Sequence, residues 1–223
     1  KNRDKIFVID YKNTLRCFKI INGSECWNLQ TEDSFTLSGI KYSLIISNDM
    51  VVFSNSIGDI TAVDEQTGLI LWQLPTQSSN IVNETYNFKN SKLVFDGNSI
   101  YFSNNKNEFY SIDAKTGTTN WTNEINSTIT PIIINNLIFT VSEEGYLYVI
   151  EKNEGNIIRI SNLFTSYKEK IRKNLKPIGF AIGNLNLYLT NSHGDIIVSD
   201  LNSGSILNKK KIGNNLISRP FIY

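Results

Sequence analysis

Ala62–Trp72 reads AVDEQTGLILW and Ser111–Trp121 reads SIDAKTGTTNW, so an Asp, a Gly four on and a Trp four further on recur about fifty residues apart. The same frame falls on CFKIINGSECW around Gly23, VIEKNEGNIIR around Gly155 and VSDLNSGSILN around Gly204. Successive glycines lie 45, 49, 38 and 49 residues apart. Eight residues before each Gly stand Leu15, Ile60, Phe109, Leu147 and Ile196; four before it stand Lys19, Asp64, Asp113, Glu151 and Asp200. Four after it stand Trp27, Trp72, Trp121, Arg159 and Asn208. Self-similarity at a period in the forties marks a repeat architecture, with four-stranded propeller blades the leading candidate.

Each part of the frame has a physical reason. GDITAVD, NEFYSID and GYLYVIE are short runs of β-branched and aromatic residues and read as strands. The E-Q-T-G and A-K-T-G segments read as turns, where Gly takes positive φ without a side-chain clash. Asp64 with Thr67 and Asp113 with Thr116 can bond turn N–H groups and fix the register. The Trp on the returning strand can bury a large apolar surface. Upstream lie IFVID, MVVFSN, SIYFSN, LIFTVS and LYLTN, and before most of them a further apolar run such as KLVFD, PIIII or KPIGFAI. Four short strands per repeat with almost no helix describe a propeller blade. A β-sandwich shares the short strands but leaves the recurring frame unexplained.

The fold class expected is therefore all-β, a single β-propeller domain over residues 1–223. Blade frames fall at approximately 1–30, 39–75, 88–125, 129–162 and 176–212, and 217–223 reads as the opening strand of a further blade. The first repeat has no opening strand, so the ring is expected to be incomplete at both ends. Five blades alone would form an arc with unpaired edges.

Composition narrows the function classes. With 22 basic and 21 acidic residues the formal net charge is +1, which offers no broad footprint for nucleic acid or an anionic membrane. No run approaches the roughly 18 apolar residues of a membrane helix, so membrane association is expected only through an anchor outside this window. The 40% apolar content suits a folded chain.

The A-x-D-x-x-T-G-x-x-x-W pattern resembles the tryptophan-docking repeat of the PQQ-like propeller superfamily, in which the Trp packs on the neighbouring blade. Asp64, Thr67, Gly68 and Trp72 match it fully, as do Asp113, Thr116, Gly117 and Trp121. Gly23 and Trp27 keep part of it; Gly155, and Asp200 with Gly204, stand in frames that lose the Trp. The stretch from GYLYVIEKNEGNIIRISNLF through KPIGFAIGNLNLYLTNSHGDIIVSDLNSG to ISRPFIY is similar to the closing blades of BamB-type outer-membrane assembly factors, especially alphaproteobacterial ones. That resemblance implies a larger, eight-bladed periplasmic ring and a lipid anchor. It also implies a non-enzymatic scaffold whose protein partner is the outer membrane's barrel-insertion machinery.

The enzymes of the superfamily imply a competing reading, a PQQ-dependent dehydrogenase with an adjacent Cys-Cys pair, an acid- and amide-bound calcium and a catalytic Asp. Here Cys17 and Cys26 are nine apart, and the repeated Asp residues read as turn caps, so no cofactor, metal or catalytic residue is assigned. A sensor-domain propeller is the remaining alternative. His193 is the only histidine, which excludes a multi-His metal site. Cys17 and Cys26 match no zinc or redox spacing; a disulfide across a hairpin and two buried thiols both remain open.

One segment departs from the strand pattern. In SNLFTSYKEKIRKNLKPIGF, Phe164, Tyr167, Ile171 and Leu175 recur at helical spacing. Lys168, Lys170, Arg172, Lys173 and Lys176 make it basic, either as a partner-facing patch or as a solvated connection between blades.

Overall fold

The computed structural model describes residues 4–32, 42–47, 49–76, 88–214 and 218–222. Its strands form five antiparallel sheets, each a meander in chain order. The first has three strands, β1 (Lys5–Ile9), β2 (Thr14–Lys19) and β3 (Glu25–Gln30). The second comprises β4 (Leu44–Ser47), β5 (Met50–Ser54), β6 (Ile60–Asp64) and β7 (Ile70–Leu74). The third comprises β8 (Val94–Phe95), β9 (Ser99–Ser103), β10 (Phe109–Asp113) and β11 (Thr119–Asn123). The fourth comprises β12 (Ile132–Ile134), β13 (Leu137–Val141), β14 (Tyr146–Glu151) and β15 (Ile157–Asn162). The fifth comprises β16 (Pro177–Gly183), β17 (Asn186–Asn191), β18 (Asp195–Asp200) and β19 (Ile206–Lys211). The fold is all-β and its sheets are propeller blades.

Side chains on a strand alternate between its two faces, and here each face meets a different blade. On β5, Val51 and Phe53 join Leu15 of β2 in one core, whereas Val52 joins Ile100 and Phe102 of β9 in the next. Both faces are therefore dry, which is why MVVFS is apolar without alternation. Tyr101 and Phe109 then pack with Ile138 and Ile150 of the fourth blade. Phe139 and Leu147 pack with Phe180, Leu187 and Ile197 of the fifth. Among the described residues no core cluster joins the first blade to the fifth. The last strand of each blade is its outer one: on β7 the residues around buried Trp72 are exposed, and on β19 nearly all are.

Two segments differ from the sequence reading. Residues 218–222, within the expected opening strand at 217–223, form no strand. They lie across β16, where two glycines leave room: a Cβ on Gly183 would come within 2.6 Å of Ile222, and one on Gly179 within 2.9 Å of Arg219. Ser218 O also accepts from the Thr190 hydroxyl at 3.0 Å, so the backbone finds a partner outside any ladder. Along the segment where apolar residues recur at helical spacing, the helix is a single turn, α1 (Glu169–Arg172). Phe164, Tyr167 and Leu175 are buried, but Ile171 is 37% exposed. The apolar spacing marked burial without a helix, since Phe164, Tyr167 and Leu175 enter one core cluster with residues of the fourth and fifth blades.

Phe102 is 1% exposed and stacks on Tyr110 with ring centroids 5.0 Å apart. Phe102→Ala should lower stability by about 3–5 kcal/mol, read as a lower urea midpoint at unchanged slope. A loss below ~1 kcal/mol would contradict the interblade core described above.

Candidate functional site

The repeated acids cap turns. Asp64 Oδ1 accepts the Gln66 and Thr67 N–H groups at 3.0 and 2.7 Å and the Thr67 hydroxyl at 2.7 Å. Asp113 does the same with Lys115 and Thr116, at 3.0, 2.8 and 2.9 Å. Asp200 takes the N–H and hydroxyl of Ser203, both at 2.7 Å, and Glu151 takes the N–H groups of Asn153 and Glu154 at 3.0 and 2.7 Å. These bonds favour the charged form. The Thr67 hydroxyl first, then its N–H, holds the Asp64 carboxyl below its ordinary value. For Asp113 the N–H of Thr116 leads, for Asp200 that of Ser203, and for Glu151 that of Glu154. Carboxylates held ionised by their own turns are poorly suited to proton transfer near neutral pH.

The tryptophans reach forward to the next blade's turn. Trp27 Nε1 donates to Glu65 O at 3.2 Å, Trp72 Nε1 to Ala114 O at 3.1 Å and Trp121 Nε1 to Lys152 O at 3.0 Å. Each acceptor stands three residues before the next turn glycine, which lies beneath the indole. A Cβ added at Gly68 would sit 2.6 Å from Trp27, at Gly117 2.6 Å from Trp72 and at Gly155 2.5 Å from Trp121. Gly117 also has φ +74, so both the backbone and the close approach call for glycine. At the fourth joint Arg159 stands in place of Trp and keeps the forward bond. Its guanidinium donates to Leu201 O at 2.7 Å and to Asn202 O, next to Gly204.

A second turn series escaped the sequence reading. Ten residues ahead of Gly23, Gly68, Gly117, Gly155 and Gly204 stand Asn13, Gly58, Asn107, Gly145 and Gly194, all at positive φ. In three of these turns a buried Asn caps the loop. Asn55 Oδ1 accepts from Ile57 and Asp59, Asn104 Oδ1 from Lys106 and Glu108, and Asn191 Oδ1 from His193 and Asp195. Aromatic lids close two turns of the whole series, Phe88 over Gly58 and Phe164 over Gly145. The signal was present as Ser- or Thr-Asn four residues before Asp or Glu, in SNSIGD, SNNKNE and TNSHGD.

Among the described residues no group of three or more His, Cys, Asp and Glu gathers as a metal site, and the repeated carboxylates are engaged in turns. Burial raises the Asp59 carboxyl, opposed by hydrogen bonds from the Thr76 backbone and the Asn55 side chain. Cys17 and Cys26 are free thiols.

The basic connection is exposed and firmly tied. Lys168, Lys170, Arg172, Lys173 and Lys176 all lie at the surface. Lys173 pairs with Glu169 at 3.3 Å and Lys176 with Glu143 at 3.7 Å. Beneath them the Tyr167 hydroxyl donates to Asp195 at 2.6 Å and accepts from Asn191 Nδ2 at 2.9 Å. The structure thus gathers these five cations on one connection, while the signature residues are distributed over successive interblade joints. Among the described residues no helix is long and apolar enough to cross a membrane.

Residues 2–161 match the model of the family described as outer membrane protein assembly factor BamB. The outer membrane protein assembly factor BamB of Shewanella oneidensis is 24% identical over 146 residues, covering 61% of this chain and 34% of that protein. The match thus spans about a third of that relative's length. BamB from Moraxella catarrhalis has a similar structure, with a TM-score of 0.73 at 16% identity over 100% of this chain and 65% of that one. A europium-containing methanol dehydrogenase follows at 0.60 and 10% identity, over 98% of this chain and 69% of that one. At these identities the structural likenesses speak to the fold alone.

Gly117→Ala should destabilise the protein, by about 1 kcal/mol or more from its φ alone, with a further loss from the indole. In a Trp72→Ala background the second part should vanish; equal losses in both backgrounds would deny the docking. Acid unfolding tests the caps. Asp113 has a carboxyl pKa lowered in the fold from 3.8, so its stabilisation is complete above the unfolded value and lost as pH falls through the folded one. Asp113→Asn should therefore be less stable than the parent at pH 7, and the gap should close as the pH falls through the lowered folded-state value. A gap that stays constant over that fall would contradict the cap.

Proposed function

Because this chain belongs to the family of outer membrane protein assembly factor BamB, we propose that it is a non-enzymatic scaffold in the assembly and insertion of outer-membrane β-barrel proteins. It works in the periplasm at the outer membrane, held there by an anchor outside these residues, and its five blades belong to a larger ring. The observation that carries this reading is the family match over residues 2–161, which runs through the first four blades. The turn caps agree with it, since the repeated acids already hold backbone groups.

The partner is the barrel-insertion machinery, met through loops on a stiff frame. The strongest candidate for contact is the connection bearing Lys168, Lys170, Arg172, Lys173 and Lys176, which presents positive charge to an acidic protein surface. Its exposed cations stand on a backbone pinned by Tyr167 and Leu175.

Crosslinking and affinity purification from solubilised outer membranes should recover the barrel-insertion protein with the tagged chain. Replacing the five basic residues by Gln should lower that recovery about fivefold or more at low salt and leave the unfolding curve unchanged. Unaltered recovery would remove the patch from the reading. Alcohol- or aldose-dependent dye reduction after adding the quinone and calcium would overturn the scaffold itself.

A further inference from the structure

In each blade the pairing of the last two strands slips by one residue just before the Trp position. The unpaired residues are Cys26, Leu71, Asn120, Ile158 and Leu207. At such a bulge two residues on one strand face a single residue on its partner. The third blade shows how near they come. Asn120 Nδ2 donates to Ser111 Oγ at 3.2 Å, and Ser111 is the residue paired with Trp121. The equivalent positions are Leu71 with Ala62, Ile158 with Val149 and Leu207 with Val198. In the first blade they are Cys26 and Cys17, the latter paired with Trp27.

We propose that Cys17 and Cys26 form a redox pair that closes a disulfide across the hairpin of β2 and β3. Cys17 is fully buried, whereas Cys26 is partly exposed. Burial and then the neighbouring Cys26 thiol push Cys17 up to about 12, which makes it a poor first nucleophile. Cys26 therefore loses its proton and attacks an external disulfide, such as oxidised glutathione or the disulfide form of a thiol oxidoreductase. One thiol leaves and a mixed disulfide remains. Cys17 then gives up its proton and attacks the Cys26 sulfur, forming the internal S–S bond and releasing the second thiol. The protein loses two protons and two electrons, and the external disulfide is reduced to two thiols.

The bond would sit beside Trp27, the residue that docks on Gly68 and donates to Glu65 O. It would close the arm whose exposed turn holds Ile20, Ile21 and Gly23, in a sheet that has three strands among the described residues. Oxidation would thus lock the bulge that aims the first indole at the second blade.

The intact folded protein is incubated with oxidised glutathione, acid-quenched, alkylated in denaturant and digested with trypsin. The expected result is loss of both alkylatable thiols in monomeric protein. The tripeptide Cys17–Lys19 should then be linked to the peptide spanning residues 20–41, and reductant should separate them. Cys17→Ser should instead stop at a glutathione adduct on Cys26. The proposal is overturned if both thiols remain alkylatable, if they are lost only in covalent dimers, or if the parent also stops at the Cys26 adduct.

Discussion

Each of the first three joints between blades rests on one contact, an indole laid over the turn glycine of the next repeat with its N–H on the carbonyl three residues earlier. It makes the glycine and the Trp of different repeats one unit. Trp72 is answered by Gly117 and Ala114, not by its own Gly68. The glycine has to lack a side chain because the ring occupies that space. The Asp cap has to hold the turn so that the carbonyl faces the indole. Because alternate residues on an inner strand such as β5 serve alternate neighbours, each blade is stabilised by the blades beside it. Stability in such an array is a chain of nearest-neighbour terms.

Much of this was legible in the sequence because it repeats. The Asp, Gly and Trp positions, the strand count per repeat and the all-β class follow from residues whose chemistry is local. The direction of the Trp was not readable, since spacing says nothing about which glycine an indole covers. The second series of positive-φ positions was hidden by its mixed occupancy. Asn13 and Asn107 do there what Gly58, Gly145 and Gly194 do elsewhere, and Asn tolerates the left-handed region through its short polar side chain. Residues 164–175 carried a true apolar signal without the geometry it suggested, because Phe164, Tyr167 and Leu175 enter one interblade core from a chain that is helical only over Glu169–Arg172. Residues 218–222 have strand-like composition, yet they lie across Gly179 and Gly183 without joining a sheet.

Among the described residues the candidate site brings no three metal-ligating side chains together. Its acids hold backbone, its single histidine lies in an exposed loop beside Asp195, and its polar side chains largely bind turns. A frame of this kind suits recognition, because rigid sheets hold their connections in fixed relative positions. Its chemistry is then that of its surface, where the basic connection is the main charged feature set apart from the repeat.

The change from Trp to Arg159 at the fourth joint has a consequence for that connection. A guanidinium supplies the forward hydrogen bonds but little apolar area, and Leu163, Phe164, Tyr167 and Leu175 from the connection enter the same interface. The residues below the cations are thus part of the wall between two blades. Freezing a loose loop on encounter consumes backbone entropy, of order 1–2 kcal/mol for each residue ordered. Here Tyr167 and Leu175 hold both ends of the basic run in that wall, so less of this cost is left for a molecule landing on Lys168, Lys170 and Arg172.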